Sequence, residues 1–391
     1  MIRKSLFTLL ISFSILSSNV LMASSSMTET IKIGLTASLT GKYREAGIQQ
    51  LQGIQMWRDD INERGSLLGR PVELVVRDDH SRADDTEALY EQLILKDSVD
   101  FLLGPYSSDN TIVAAKVAEK YKMPLLAIAA SAPSIWGNTH NGYVFGTYVQ
   151  SDKLMENVIE LAVENNIKRV AIVYANTTYT HSIAIGARRI AKQHDLEVTF
   201  YEMFGKGEGS IRTTVGRFAE TNPELIIVGA YLEDSIEIVK ELKQQGVRQK
   251  MLVFSGSVDT VEFKDALGGD VEGVVSAIQW SQAQHLPGAY DFSFRYKQKY
   301  GTNPSYQAAG GYAAGQILEA AVRLSGSLSK EKLRIELQAL KFRSLFGHYR
   351  VDLSGRQIGK QAYIMQWQDG ERKLVMPKSV SNNTIRFFSM K

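Results

Sequence analysis

Short apolar runs alternate with longer amphipathic segments along most of the chain, and loops of small polar residues separate them. One apolar run, residues 100–103, leads into a loop at 104–110, and the next, residues 124–127, leads into a loop at 129–134. Runs of this kind predict buried parallel strands, and each loop opens a helix. In a parallel sheet the two loops leave the carboxyl edge side by side, where open α/β sheets bind ligands.

The same strand, loop and helix plan occurs twice, with about five strands in each half of the chain. Because a single sheet of ten strands would be at the upper limit of size, the pattern favours two α/β lobes, each a parallel sheet flanked by helices. We expect lobe 1 to hold residues 31–146 plus about 280–345, and lobe 2 to hold 147–279 plus about 346–378. Residues 379–391 form a C-terminal tail in this prediction. Asp369 and Gly370 predict a two-residue hairpin turn near the end of lobe 2.

Composition excludes several classes of partner. The 391 residues are 44% hydrophobic and 22% charged, which is typical of a globular protein. Lys and Arg number 45 against 42 Asp and Glu, so no nucleic-acid or anionic-membrane partner is expected. The chain has no cysteine, which excludes thiolate chemistry and a disulfide framework.

The N-terminal segment has the organisation of a secretory signal. Arg3 and Lys4 precede a short apolar run, and Ala23 is a plausible cleavage site before a Ser-rich stretch. A membrane anchor is the alternative, but the run is short and interrupted for a span of ~20 residues. We therefore expect residues 1–23 to be removed and the mature protein to be exported.

Candidate binding residues in the first half are Ser107, Ala129 and Ser131. They lie in the two neighbouring loops, where hydroxyls and free helix N–H groups would suit a carboxylate. Ordinary helix capping by Ser107 or Asp109 is the alternative for the first loop.

The equivalent loops of the second half carry Tyr179, Tyr231 and Asp259. If the lobes face each other, these side chains would close over the apolar part of a small amphipathic ligand. A tyrosine in such a loop is more often ordinary surface, so each residue alone is a weak indication.

Signals for catalysis are weak. The sequence has no G-x-S-x-G elbow, Walker A loop or H-E-x-x-H pair, and its six histidines lack ligand spacing. A hard-cation site is one interpretation of the cluster formed by Asp78, Asp79, His80, Asp84 and Asp85. A strand end followed by an acidic first helical turn explains the same residues. We expect no metal, no cofactor and no enzymatic activity, with a hydrolase or transferase on a doubly wound fold as the competing class.

Several short motifs, taken together in their order, resemble those of the leucine/isoleucine/valine-binding proteins, the periplasmic solute-binding components of branched-chain amino-acid-type ABC importers. The motifs are IKIG at 31–34, LTG at 39–41, DIN at 60–62, LVVRDD at 74–79, LGPYSS at 103–108, AASAP at 129–133, YAA at 312–314 and DLSG at 352–355. The likeness runs from about residue 31 to 377. It is specific for the family but not for the ligand.

The resemblance implies a two-lobed, type I periplasmic binding protein fold with three hinge crossings and a ligand cleft between lobes that close on the solute. It implies that Ser107, Ala129 and Ser131 hold a ligand carboxylate and that Tyr179 and Tyr231 supply the aromatic positions. The expected function is capture of a small amphipathic carboxylate, most simply an amino acid such as a branched-chain one, for an ABC transporter membrane permease. The expected state is a monomer.

One departure from the family pattern concerns the ligand's ammonium group. Family members that bind amino acids place a carboxylate after the fourth strand of the second lobe, whereas this chain has Ser255-Gly256-Ser257-Val258-Asp259 there. Asp259 would lie two or three residues late, and a buried ammonium without a partner would be costly. An amide or an aromatic or aliphatic acid is therefore an alternative ligand, and a sensing role in a signalling system is an alternative function.

Overall fold

The computed structural model describes residues 29–137, 142–205, 209–256 and 258–387. The expected signal segment, residues 1–23, and the last four residues of the expected tail lie outside these ranges. None of the helices that the described ranges contain has the length and apolar content needed to cross a bilayer.

The first sheet has five parallel strands in the order β2-β1-β3-β4-β5. Its strands are β1 Ile31–Ala37, β2 Val72–Asp78, β3 Phe101–Leu103, β4 Leu125–Ala127 and β5 Val144–Gly146. The helices between them are α1 Arg44–Glu63, α2 Ala83–Leu95 and α3 Ser108–Lys120. Apolar side chains cover both faces of this sheet, which is why its strands read as almost continuous hydrophobic runs.

The second sheet repeats this order with its own strands. Its elements are α4 Glu156–Glu164, β6 Arg169–Tyr174, α5 Thr178–Gln193, β7 Glu197–Met203, α6 Ser210–Ala219, β8 Leu225–Gly229, α7 Leu232–Gln244, β9 Met251–Phe254, α8 Val261–Leu267 and β10 Val275–Ile278. The strand order β7-β6-β8-β9-β10 matches the order of the first sheet position by position. The expectation of two lobes of one architecture is confirmed.

The C-terminal part of the chain completes both lobes. Its elements are α9 Ala289–Tyr300, α10 Tyr306–Ser325, α11 Lys330–Ala339, β11 Phe342–Ser344, β12 Gly347–Tyr349, β13 Tyr363–Gln368 and β14 Glu371–Met376. The hairpin β13–β14 extends the second sheet through antiparallel pairing with β10. Its turn consists of Asp369 and Gly370, both at positive φ, so the predicted two-residue turn is confirmed.

Close backbone packing joins α10 to α1 in the first lobe. A Cβ on Gly53 would lie 1.9 Å from the carbonyl oxygen of Ala308, and one on Gly315 would lie 2.0 Å from the Trp57 ring. Only glycine permits this approach, and the contact buries Trp57 completely. The Gly- and Ala-rich composition of α10 is therefore explained by its position against α1.

The second lobe begins later in the C-terminal region than the sequence suggested. Tyr349 and Val351 are buried in the core of the first lobe, whereas Ala362 and Ile364 belong to the core of the second. The expected boundary near residue 345 is therefore wrong by several residues, because the ribbon β11–β12 packs on the first lobe before the chain crosses.

Two glutamines connect the three segments that cross between the lobes. Val149 donates its N–H to the side-chain oxygen of Gln279 at 2.8 Å, and the Gln279 amide donates to the Val149 carbonyl at 3.2 Å. The Gln357 amide donates to the carbonyl oxygens of Thr147 and His348 at 3.4 and 3.1 Å. The crossings thus form one connected hinge.

Candidate ligand-binding cleft

A cleft of about 880 Å³ lies between the lobes, at the carboxyl ends of both sheets. The loops after β1, β3 and β4 form one wall, and those after β6, β8 and β9 form the other. Five of the six predicted residues line it: Ser107, Ala129, Ser131, Tyr179 and Tyr231. Asp259 is not among the lining residues.

Ser107 stands at the start of α3 and faces the cleft. Its hydroxyl accepts the N–H of Asn110 at 3.3 Å, so the helix-capping interpretation holds as well. Its φ of +79° is a conformation that non-glycine residues seldom adopt, and such backbone strain concentrates at functional sites. The capping contact is long, so the oxygen can also serve a ligand beside the helix N-terminus.

The loop that carries Ser131 is fixed from behind. The hydroxyl of Ser108 accepts the N–H groups of Ser131 at 3.4 Å and Ala132 at 3.2 Å, and the Ser131 carbonyl accepts the N–H of Ser151 at 2.9 Å. The Ser131 side chain, in contrast, has no hydrogen-bond partner among the described residues. Its hydroxyl is therefore available in a loop whose backbone is already held in place.

The acidic residues after β2 organise the first loop of the cleft. Asp79 accepts hydrogen bonds from the hydroxyls of Thr36 and Ser38, and Asp78 accepts one from Thr40. Ser81 in turn accepts the N–H of Tyr43 at 3.1 Å. The sequence left two interpretations of these acidic residues, a cation site and a strand end that leads into a helix, and the hydrogen bonds support the second. Their effect is to place Tyr43 at the cleft.

Tyrosine rings dominate the surface that faces a ligand. The Tyr43 ring centroid lies 5.3 Å from that of Tyr106 and 5.2 Å from that of Tyr231, whose own centroid lies 6.3 Å from that of Tyr179. Burial raises the pKa of the Tyr43, Tyr179 and Tyr231 hydroxyls, so all three are neutral at physiological pH. The rings therefore offer apolar faces with uncharged hydroxyls.

Sequence reasoning missed four of the tyrosines that line the cleft, namely Tyr43, Tyr106, Tyr148 and Tyr306. Tyr106 directly precedes Ser107, and Tyr43 lies in a loop that the strand pattern had placed at the same edge, so both could have been found. Tyr148 and Tyr306 come from a crossing segment and from the start of α10, which pattern alone does not bring to the cleft.

Asp259 lies behind the second-lobe wall. Burial raises the pKa of its carboxyl group to about 6, and the nearby Arg372 guanidinium opposes that rise. Its Oδ1 atom is buried and has no hydrogen-bond partner in the described part of the chain. Burial raises the pKa of the Tyr306 hydroxyl, which lines the cleft, and the nearby Asp259 carboxylate adds to that rise.

The carboxylates that do line the cleft lie toward solvent. Glu45, Glu233, Glu237 and Glu262 are exposed, and Asp234 is half-buried in the first turn of α7. The deep part of the cleft is lined by hydroxyl, amide and aromatic groups.

The two walls touch each other in this conformation. Tyr43 of the first lobe packs on Tyr231 of the second, and the hydroxyl of Thr178 donates to the carboxylate of Asp109 across the gap. The structure is therefore in a closed arrangement of the lobes.

Comparison with proteins of known sequence gives relatives of similar length. The chain is 22% identical over 377 residues to Leu/Ile/Val-binding protein homolog 7 of Brucella abortus, with 91% of this chain and 94% of the relative covered. It is 23% identical over 378 residues to homolog 8 of the same organism, with 91% and 93% covered.

Solved structures share the fold. The leucine binding protein LivK of Thermotoga maritima superposes with a TM-score of 0.80 at 22% identity, covering 88% of this chain and 98% of that one. LivJ of Streptococcus pneumoniae, in complex with isoleucine, gives 0.79 at 22% identity, with 89% and 100% covered. A solute-binding protein of R. palustris in complex with benzoate gives 0.78 at 18% identity, with 89% and 96% covered. The expected type I periplasmic binding protein fold is confirmed.

A family model described as periplasmic binding protein matches residues 30–372, which is most of the chain. The cleft between two lobes of repeated topology, the relatives and this match agree, and the chain belongs to the periplasmic binding protein family.

Proposed function

We propose that this protein captures a small carboxylate with an apolar body in the cleft and delivers it to an ABC importer. The observation that carries the proposal is the contrast across the cleft. Ser107 and Ser131 present hydroxyls beside a helix N-terminus on one wall, and Tyr179 and Tyr231 present rings on the other.

The first-lobe wall suits the carboxylate. The start of α3 carries a partial positive charge, and hydroxyls that donate to an anion form stronger hydrogen bonds than neutral pairs. Ala129 leaves room for the ligand to approach the backbone of the second loop. Lys42, which also lines the cleft, adds a positive charge at its mouth.

The second-lobe wall suits an apolar body, and two ligand classes differ only in the group next to the carboxylate. An amino acid would need a carboxylate for its ammonium, and the half-buried Asp234 is the candidate. A simple aromatic or aliphatic acid needs no such partner, and the position of Asp259 behind the wall favours this class. Structural neighbours include proteins in complex with isoleucine and with benzoate.

A thermal-shift screen with matched compounds tests the proposal. Leucine and phenylalanine represent amino acids, benzoate and phenylacetate represent simple acids, and benzamide and phenylacetamide are the neutral controls. A ligand at a hundredfold excess over its Kd stabilises the folded state by about 2.7 kcal/mol, so the cognate class should stand out. Stabilisation by amides equal to that by acids would contradict a carboxylate site, and turnover of the ligand by the purified protein would support the hydrolase or transferase class.

The location and partners belong to the same proposal. We infer export to the periplasm through cleavage of residues 1–23, action as a monomer, and docking on a membrane permease. Mass spectrometry of the exported protein should find an N-terminus after Ala23. Deletion of a cognate permease should abolish uptake of the ligand. If uptake persists while a transcriptional response to the ligand is lost with this protein, the sensing role is the correct one.

A further inference from the structure

The short ribbon β11–β12 carries its charged residues on a single face. Phe342 pairs with Tyr349 and Arg343 with His348 in the antiparallel register. Because side chains alternate along a strand, Phe342 and Tyr349 share one face, which packs into the first-lobe core. Arg343 and His348 share the other face.

The register extends the cationic face by one more pair. Lys341 and Arg350 flank the paired residues and stand opposite each other, on the same side as Arg343 and His348. Lys341 and Arg350 are both cationic, and like charges directly opposite each other across two strands repel and destabilise a ribbon. The fold therefore retains an arrangement that costs stability.

Carboxylates do not compensate this charge. The arginines of the neighbouring C-terminal helices, in contrast, are paired, for example Arg295 with Asp60 and Arg334 with Glu331. Within the described ranges, none of Lys341, Arg343, His348 and Arg350 has an ion-pair partner or a side-chain hydrogen bond, and all four are exposed.

A concavity lies on this face. It has a volume of about 440 Å³ and is lined by the four basic residues together with Phe342, Tyr349 and Gly359. Gly359 lies so close to β12 that a Cβ there would stand 2.9 Å from the backbone nitrogen of Arg350. The segment that follows the ribbon thus forms one side of the concavity without a side chain that could fill it.

We propose that this concavity is a second binding site, separate from the cleft, that takes a phosphate group, either free or on a phosphate ester. Two arginines offer planar donor forks that match phosphate oxygens in a bidentate manner, and Lys341 adds a further charge. A phosphate carries more negative charge than a monocarboxylate, so it can form ion pairs with several of these unpaired basic side chains at once. The charge repulsion along the ribbon is relieved when the anion is bound.

Calorimetric titration with pyrophosphate and with inorganic phosphate, at low ionic strength, tests the proposal. We expect saturable binding to the protein that weakens as salt is added, because exposed charges are screened. The variant with both Arg343→Gln and Arg350→Gln should bind at least about tenfold more weakly. A matched control, Lys192→Gln with Lys240→Gln, removes the same charge from exposed helical positions that have no ion-pair partner among the described residues, and it should bind like wild type.

Vesicles distinguish the source of the phosphate group. Sedimentation with phosphatidylglycerol vesicles but not phosphatidylcholine vesicles, lost in the Arg343/Arg350 variant and kept in the control, would assign the site to a lipid headgroup. Binding of pyrophosphate without vesicle binding would assign it to a soluble phosphate. No saturable binding in either assay, or an equal loss in the control variant, would overturn the proposal. Both variants should keep the wild-type circular-dichroism spectrum and a cooperative melting transition, which shows that they are folded.

Discussion

The two walls of the cleft have the same topological origin but different construction. Both are built from loops that follow the first, third and fourth strands along the chain in each half, at the carboxyl edge of a sheet. On the first wall, Ser107 accepts the N–H of Asn110, and the backbone at Ser131 is held by the Ser108 hydroxyl and by the N–H of Ser151. On the second wall, Tyr179 and Tyr231 extend long rings toward the other lobe.

This difference gives the two walls separate roles: the first wall recognises the anionic group of the ligand, and the second wall encloses its apolar body. A group that binds an anion gains most when its donors are in position before the ligand arrives, and the first wall has this property. The rings of the second wall contribute to binding only once the lobes approach, when Tyr231 packs on Tyr43 of the first lobe. We therefore expect substitutions on the first wall to affect which charged group binds, and substitutions on the second to affect how firmly the body is held.

The largest effect should come from the serines of the first wall. Removing a hydroxyl that hydrogen-bonds a charged group costs about 1.5–3 kcal/mol, or roughly a ten- to hundredfold loss of affinity. Ser131→Ala, and separately Ser107→Ala, should therefore weaken carboxylate ligands by this factor in calorimetry and affect the matching amides much less. Ser134→Ala, an exposed position on the same loop, is the control. Wild-type affinity in both cleft variants would show that the anion lies elsewhere.

A smaller effect should follow on the second wall. Aromatic contacts contribute about 0.5–1.5 kcal/mol beyond their buried area, so Tyr231→Leu should weaken binding by about two- to tenfold. Acids and amides should lose affinity equally, because the ring contacts the body and not the charge. Tyr290→Leu, on a side chain that is 75% exposed, should leave affinity unchanged. Greater loss for acids than for amides would contradict the division of roles between the walls.

The smallest effect on affinity is expected for Asp259→Asn, which should instead change stability with pH. The pKa of Asp259 is raised from 3.8 to about 6 in the folded protein, so its ionised form is destabilising. In the wild type, Asp259 makes its full contribution to the free energy of unfolding below pH 4. This contribution, at most about 3 kcal/mol, is lost as the pH rises to about 6. The asparagine variant should therefore melt higher than wild type at pH 7.5 and about equally at pH 4. A large loss of ligand affinity in this variant would mean that Asp259 holds an ammonium group.

Much of this architecture follows from local pattern. Buried strands followed by Ser- and Ala-rich loops predicted the two sheets, and Ser107 and Ser131 could be placed because the strands before them are adjacent. Tyr148 and Tyr306 could not be placed, because they reach the cleft only through the path of the crossing segments and the packing of α10 on α1. The late domain boundary has the same cause, since the sequence of β11–β12 does not reveal which lobe its apolar face covers. Asp259 was predicted at the cleft from its spacing after β9 alone. It does not line the cleft, because the direction in which the loop after β9 turns depends on tertiary packing.

Small-angle scattering with and without ligand tests the central claim that both walls act on one ligand by closing around it. Since the lobes touch in the present structure, the radius of gyration at saturation should agree with the value calculated from it, and that of the ligand-free protein should be larger. A radius of gyration that does not change between the free and saturated protein would contradict closure.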